Sequence, residues 1–284
     1  MNPYISEFDK EFDVKKSLEY RLTIQFRLDG FSYAIFDNVS GQLIGFEDFL
    51  LESFVKKEDL FHALEKALEA KGIDSKKLKS ITCLIDERTN TLVPKALFEE
   101  SHATNYLDFT FQLTQGNTTL FDALTTTECF NVYGVSNLLR TKIQSKWPNA
   151  HIIHSASVFI DSITDMSEST SAFVNVRSRD FDLVITKNGK LLFYNNFKYE
   201  TKEDFAYFLL FAFEQSQLSG KETPVYFSGL ILPDSEIIDL CGHYIQDIRF
   251  VEDPHQLQVS KALSKVPFSY YYIHYQTLRH ETQV

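Results

Sequence analysis

The feature that most restricts this chain is a pattern written twice, at an offset of 150 residues. From Arg21 it reads RLTIQF, a turn RLDG, FSYAIFD, a turn NVSGQ, then LIGFEDFLL; from Ser171 it reads SAFVNV, RSRD, FDLVIT, KNGK and LLFYNNF. Apolar and polar residues alternate with a period of two and Gly-containing turns break the runs, which predicts a three-stranded antiparallel meander in each place. The Asn188-Gly189 pair is of the kind that two-residue hairpins prefer.

The segments after the two meanders also correspond. KKEDLFHALEKALEAKG sets Leu60, Leu64 and Leu68 at helical spacing with Gly72 past the end, and TKEDFAYFLLFAFEQSQLSG is apolar nearly all round, as a helix buried on several sides would be. SITCLI and TPVYFSGLI are short apolar runs expected of buried parallel strands. LVPKALFEES and LPDSEIIDLCGHYI each read as a loop into a helix. Arg27 matches Arg177, Phe31 matches Phe181, Ile35 matches Ile185 and Asn38 matches Asn188. After a two-residue difference Gly41 matches Gly189 and Leu43 matches Leu191, and further on Lys57-Glu58-Asp59 matches Lys202-Glu203-Asp204 and Pro94 matches Pro233. The expectation is an internally duplicated β-β-β-α-β-α unit. Residues 101–170 fall outside it and read as a linking stretch, with a helix beginning near Ser136 that carries Leu138, Leu139 and Ile143, then a strand running into a helix in HIIHSASVFID. The polar DMSEST reads as a loop, and the expected division is 1–150 and 151–284.

A net charge of −11 and a pI near 5.2 argue against nucleic acid or an anionic membrane as partner, because phosphates are repelled at long range. There is no basic segment leading into an apolar run at the start and no window of 18 apolar residues, so no membrane insertion and a cytoplasmic location are expected. Cys83, Cys129 and Cys241 are odd in number and widely spaced, which fits free thiols.

A duplicated β-β-β-α-β-α unit resembles the ribonuclease-H-like fold. Two such subdomains across a cleft resemble the actin-like ATPases: an α/β protein with mixed five-stranded sheets flanked by helices. More closely, VPKALF, TKEDFAYFLLFAFEQ and PVYFSGLI resemble an uncharacterised bacterial family, a domain of unknown function with an actin-like ATPase fold. In the ATPases of that superfamily the first strand of each half resembles apolar-Asp-apolar-Gly-Thr/Ser, the Asp organising Mg²⁺ or water and the Gly admitting phosphate to the turn. Set on this pattern, TIQFRLDGF has Gln25 in the place of the Asp and Arg27 in that of the Gly. FVNVRSRDF has Asn175 and Arg177 there, and FSGLI keeps only Gly229 of the usual Gly-Gly at the adenosine side. An amide is a poor Mg²⁺ ligand and no base, and an arginine stem crowds the turn.

The resemblance without its motifs implies no catalytic residue, no expected cofactor, doubtful ATP and Mg²⁺, and a binding or scaffolding protein with a protein partner or a second copy. The alternative is a nucleotide- or phosphate-ligand binder, or a phosphotransferase, with a cleft rebuilt around Arg27, Arg177 and Gly229. Whether the two arginines hold an anion or pair with Asp29, Asp180 and Asp182 stays open at this level. A ribonuclease-H-type nuclease is excluded by Gln25 and Asn175. His151 and His154 lack an evident third ligand, so no metal site is expected. The C-terminal VPFSYYYIHYQT reads as an extended strand, with Val266, Phe268, Tyr270, Tyr272 and His274 on one face and Tyr271, Ile273 and Tyr275 on the other, packed on the second unit or on a partner.

Overall fold

The computed structural model describes residues 3–10, 12–50, 57–111, 115–164, 169–252 and 263–280. In chain order the first half gives β1 (Ile5–Phe8), β2 (Tyr20–Arg27), β3 (Gly30–Asp37), β4 (Leu43–Leu50), α1 (Lys57–Ala70), β5 (Ser80–Ile85), β6 (Asn90–Pro94), α2 (Ala103–Thr110), β7 (Asn117–Ala123), β8 (Cys129–Ser136), α3 (Asn137–Lys146), β9 (His151–His154) and α4 (Ser155–Thr164). The second gives β10 (Ser171–Val176), β11 (Asp180–Lys187), β12 (Lys190–Lys198), α5 (Lys202–Gln215), β13 (Val225–Gly229), α6 (Glu236–Cys241), β14 (Ile248–Phe250) and α7 (Phe268–His280).

Both expected meanders form, and they head two sheets of one design. The first has the order β1-β4-β3-β2-β5-β9 and the second β12-β11-β10-β13-β14. Leaving out β1, the orders correspond strand for strand, and so do the directions: antiparallel within each meander, parallel from its first strand outward. Even the irregularity recurs, since the pairing slips between Ile35 and Phe36 and again between Ile185 and Thr186. The last strand of the first sheet, β9, lies C-terminal to residue 150.

Each sheet buries one face under its own helices. Leu60, Leu64 and Leu68 of α1 join Leu139 and Ile143 of α3 over the first sheet, while Phe205, Leu209 and Phe213 of α5 cover the second. The helix α3 begins beside Ser136 as expected, with Ser136 accepting from the Leu139 amide as its cap, although Leu138 turns outward and only Leu139 and Ile143 enter the core. Thr201 and Asp204 close α5 with reciprocal side-chain-to-backbone bonds, a capping box whose acidic member is Asp.

Three expectations are corrected. Residues 90–94 are a strand, not part of a loop, and Pro94 is tolerated because it ends β6 at the rim of a small sheet of order β6-β8-β7. The linking stretch thus supplies β7 and β8 of a third sheet, packed on α2 through Leu107, Val132 and Phe98. Most consequentially, the aromatic C-terminus is the helix α7. Tyr271, Tyr272, Ile273 and Tyr275 are all buried, because α7 lies between the two sheets against Phe46 and Phe36 on one side and α4 and Phe173 on the other. A helix enclosed on every side has no polar stripe, so its period is invisible in sequence. Of DMSEST, residues 165–168 lie outside the described residues.

Candidate functional site

The two meanders bring the ends of β2 and β10 to one cleft of 590 Å³, lined by Arg27, Asp29, Asp86, Arg177, Arg179 and Tyr199 among others. Gln25, Asn175 and Gly229 are not among the residues that line it. Arg27 and Arg177 are both buried, and each guanidinium is paired with carboxylates of the chain.

Arg27 grips Asp48 with two nitrogens, Nη2 to Oδ1 at 2.8 Å and Nη1 to Oδ2 at 3.1 Å, while its Nε donates to Asp29 at 3.2 Å and Nη1 also donates to Ser32 at 3.1 Å. Arg177 meets three carboxylates: Asp182 at 2.6 Å, Asp86 at 3.2 Å, and Asp180 through Nε. The two clusters are variants of one plan. Ser32 faces Asp48 across β3 and β4, and at the equivalent register Asp182 faces Asn196 across β11 and β12. Each arginine thus has one carboxylate from this facing pair, supplied by the third strand in the first half and by the second strand in the other. A single buried guanidinium needs one such partner to offset desolvation, and either neighbour can supply it.

The amides are absorbed as well. Gln25 donates to Asp86 at 2.7 Å, and Asn175 accepts from the Ser228 hydroxyl at 3.2 Å. Gly229 comes next along β13 with φ +84°, and a Cβ there would lie 2.1 Å from the Val176 carbonyl oxygen, so only glycine lets β13 pass β10 at this point.

Asp86 has no counterpart in the second half, where Leu230 succeeds β13. It accepts from Gln25 of its own half and pairs with Arg177 of the other. Around it, Ser178 donates to Asp29, Arg88 to Asn196 at 3.2 Å, and Asn90 to Tyr194 at 3.0 Å. The floor of the cleft is therefore a clasp between the halves. Crowding sets the electrostatics. Burial pushes the Asp86 carboxyl up to about 7, against the pull of Arg177, because Asp182 and Asp180 share that guanidinium. Burial also opposes ionisation of Asp182, but Arg177 and Asn196 outweigh it and hold that carboxyl below its ordinary range. For Arg27 burial would lower the pKa, yet Asp48 and Asp29 raise it further, so it stays charged.

His274 of α7 closes the back of the site. Its Nδ1 is 2.7 Å from Thr23 Oγ1 and its Nε2 is 2.8 Å from Ser32 Oγ, linking the C-terminal helix to the Arg27 cluster. His154 is buried with Nε2 at 2.8 Å from the Glu87 carbonyl and Nδ1 accepting from the Ala156 amide, and His151 is exposed; among the described residues no group of three His, Cys, Asp or Glu could hold a metal. The three cysteines are free thiols.

Sequence reasoning located both arginines and named Asp29, Asp180 and Asp182 as possible partners. It missed Asp48 and Asp86. Asp86 had a signal, a carboxylate closing the apolar run SITCLI, whereas Asp48 sits in an unremarkable GFEDFL.

No curated protein sequence matches the chain. Among solved structures it is similar to a Bacteroides thetaiotaomicron VPI-5482 protein with an actin-like ATPase fold and unknown function, at 20% identity and a TM-score of 0.74 over 84% of this chain and 93% of that one. It is also similar to a chain of a PilM–PilN type IV pilus biogenesis complex, at 9% identity and a TM-score of 0.59 over 93% of this chain and 98% of that one. The fold is the actin-like ATPase fold. A family model matches residues 9–248, and the chain belongs to that family, described as a protein of unknown function, DUF3822.

Proposed function

We propose that this protein is a non-hydrolysing member of the actin-like fold, built from a duplicated unit and working in the cytoplasm through contacts with other proteins. One observation carries the proposal. At both turns where the resemblance places phosphate, a buried arginine is already neutralised by the protein's own carboxylates. A phosphate entering there would have to displace Asp48 or Asp182 from a desolvated guanidinium and leave that carboxylate buried and unpaired, a cost of several kcal/mol per site, on the order of 3–5. The amides of Gln25 and Asn175 offer Mg²⁺ no charge, and both are already hydrogen-bonded. The residues present do not fit Mg²⁺-ATP.

A role in binding agrees with two further facts. The halves are clasped across the cleft, which suits a body that presents surfaces, and a protein of the same fold is known in a PilM–PilN complex. No helix among the described residues is long and apolar enough to cross a membrane.

Titration calorimetry of the full chain with millimolar ATP, with and without Mg²⁺, tests the proposal, alongside phosphate release. The expected result is neither heat nor turnover. Turnover that is abolished by changing Arg27, Arg177 or Asp86 would overturn it and favour the alternative of a rebuilt nucleotide or phosphate site.

A further inference from the structure

The two halves provide an internal control for what a helix on this fold should show to solvent. Lys57-Glu58-Asp59 aligns with Lys202-Glu203-Asp204, so α1 and α5 correspond at an offset of 145. The core positions agree: Leu60, Leu64 and Leu68 of α1 are buried, as are Phe205, Leu209 and Phe213 of α5. The outer positions agree in exposure but not in chemistry. His62 and Lys66 are exposed on α1, while their counterparts on α5 are Tyr207, 61% exposed, and Phe211, 43% exposed; half-buried Ala63 and Glu65 become Phe208 and Leu210.

These side chains continue a ladder onto the sheet. Tyr207 stacks with Phe211 at 6.1 Å between ring centres, Tyr207 meets Phe208 at 5.3 Å, Phe208 stacks on Phe197 of β12 at 5.2 Å, and Phe197 on Phe193 at 6.3 Å. Among the described residues no strand pairs with the outer edge of β12. In the first half the matching edge of β4 is covered by β1, whose Phe8 lies against Gly45; at the matching register β12 carries Phe193 instead. An apolar corner of this kind, bordered by charge, marks an interaction surface.

We propose that this α5/β12 corner is where two copies of the chain pack together about a two-fold axis. The proposal rests on the reading that the protein works through protein contacts. The occupant is a second copy because the corner is self-complementary in charge. β12 is parallel to β13 and α5 returns between them, so helix and strand run antiparallel, and Glu214 lies at the same end as Lys187 and Lys190. All three are exposed, and none is in an ion pair among the described residues. A two-fold axis along α5 lays the helix of one copy over the strand of the other and brings Glu214 to Lys190 of the second copy, and the reverse, as an isologous contact requires. Direct antiparallel pairing of two β12 edges centred on Tyr194 would instead oppose Lys190 to Lys198, a like-charge contact that disfavours it.

Sedimentation of the full chain tests this. At about 100 µM, where a dimer with a Kd in the micromolar range is assembled, the wild type sediments as a dimer. Tyr207→His with Phe211→Lys, which gives α5 the residues of α1, weakens association by more than about a hundredfold, as loss of two interface aromatics does. Both side chains are exposed in the monomer, so circular dichroism stays that of the wild type, as does Tm measured well below the dimer Kd. Glu214→Lys also weakens the dimer, and adding Lys190→Glu restores it. A monomeric wild type, which leaves the corner to a different partner, overturns the proposal, as does a double aromatic variant that stays dimeric or a charge swap that restores nothing. Nucleotide turnover is measured on the same samples: a monomer without turnover sinks the dimer alone, and a dimer that hydrolyses ATP sinks the non-hydrolysing reading alone.

Discussion

Replacing Arg177 with Met removes one guanidinium and leaves a side chain of similar reach in the floor of the cleft. The arginine is 7% exposed and serves Asp86, Asp180 and Asp182 together, so the substitution leaves three largely buried carboxylates without their shared cation. Removing one partner of a buried ion pair costs about 3–5 kcal/mol. Against a typical net stability of about 5–15 kcal/mol that is a large fraction, and for a chain of this size it corresponds to a fall in Tm of roughly 5–8 °C. The pH dependence has a defined sign. Without the arginine, burial holds the Asp86 and Asp182 carboxyls above their unfolded pKa near 3.9. A group whose folded pKa is raised contributes stability below the unfolded pKa and loses it as pH rises through the folded one. The deficit is therefore greatest at about pH 8 and shrinks towards about pH 4–5, as the carboxyls take up protons that wild-type Asp182, held low by Arg177, refuses. Urea unfolding monitored by circular dichroism and by the single Trp147, which is buried in the first half against Phe61, measures it at both pH values. A deficit under about 1 kcal/mol at the higher pH, the value of an exposed pair, or one that grows on acidification, would refute the reasoning.

The neighbouring carboxylates should behave oppositely to one another. Asp86→Asn at about pH 8 leaves stability within about 1 kcal/mol of wild type or raises it, because this carboxyl is the surplus charge around Arg177, whereas Asp182→Asn costs about 2 kcal/mol or more; urea midpoints in the reverse order would contradict the assignment. Two buried histidines give an acid slope: burial brings His154 down to about 4 and His274 down to about 3, so each contributes stability above the unfolded pKa near 6.5 that is lost as pH falls through those values. His274→Gln removes its share of that slope, read as Tm against pH between 6.5 and 4, and an unchanged slope speaks against it. Gly229→Ala destabilises by about 2 kcal/mol or more, since the new Cβ meets the Val176 carbonyl and the backbone is in the left-handed region; a Tm within 2–3 °C of wild type would show that β13 can shift away.

Much of this molecule is legible in its residues because its signals are local. The meanders, α1, α3 and α5 are set by periodicity, turns and caps, and the offset between Arg27 and Arg177 anticipates the matching strand orders and even the matching slips in pairing. The elements that were misread have no such signal. β1 and β14 are four and three residues long, and β6 ends at a proline. The helix α7 is enclosed on all sides, so neither period two nor period 3.6 separates its faces.

The same division holds for the site. Sequence alone determined that arginines and amides stand where the resemblance to the actin-like ATPases places glycines and carboxylates, and chemistry alone makes those residues poor for Mg²⁺ and phosphate. It left open whether the arginines wait for an anion or are already neutralised. Only the tertiary structure shows the ion pairs, because Asp48 lies 21 residues from Arg27, Asp86 lies in the other half from Arg177, and the fold removes each guanidinium and its carboxylates from water together. Desolvation depends on what surrounds a residue in space, and the order of residues along the chain does not state it.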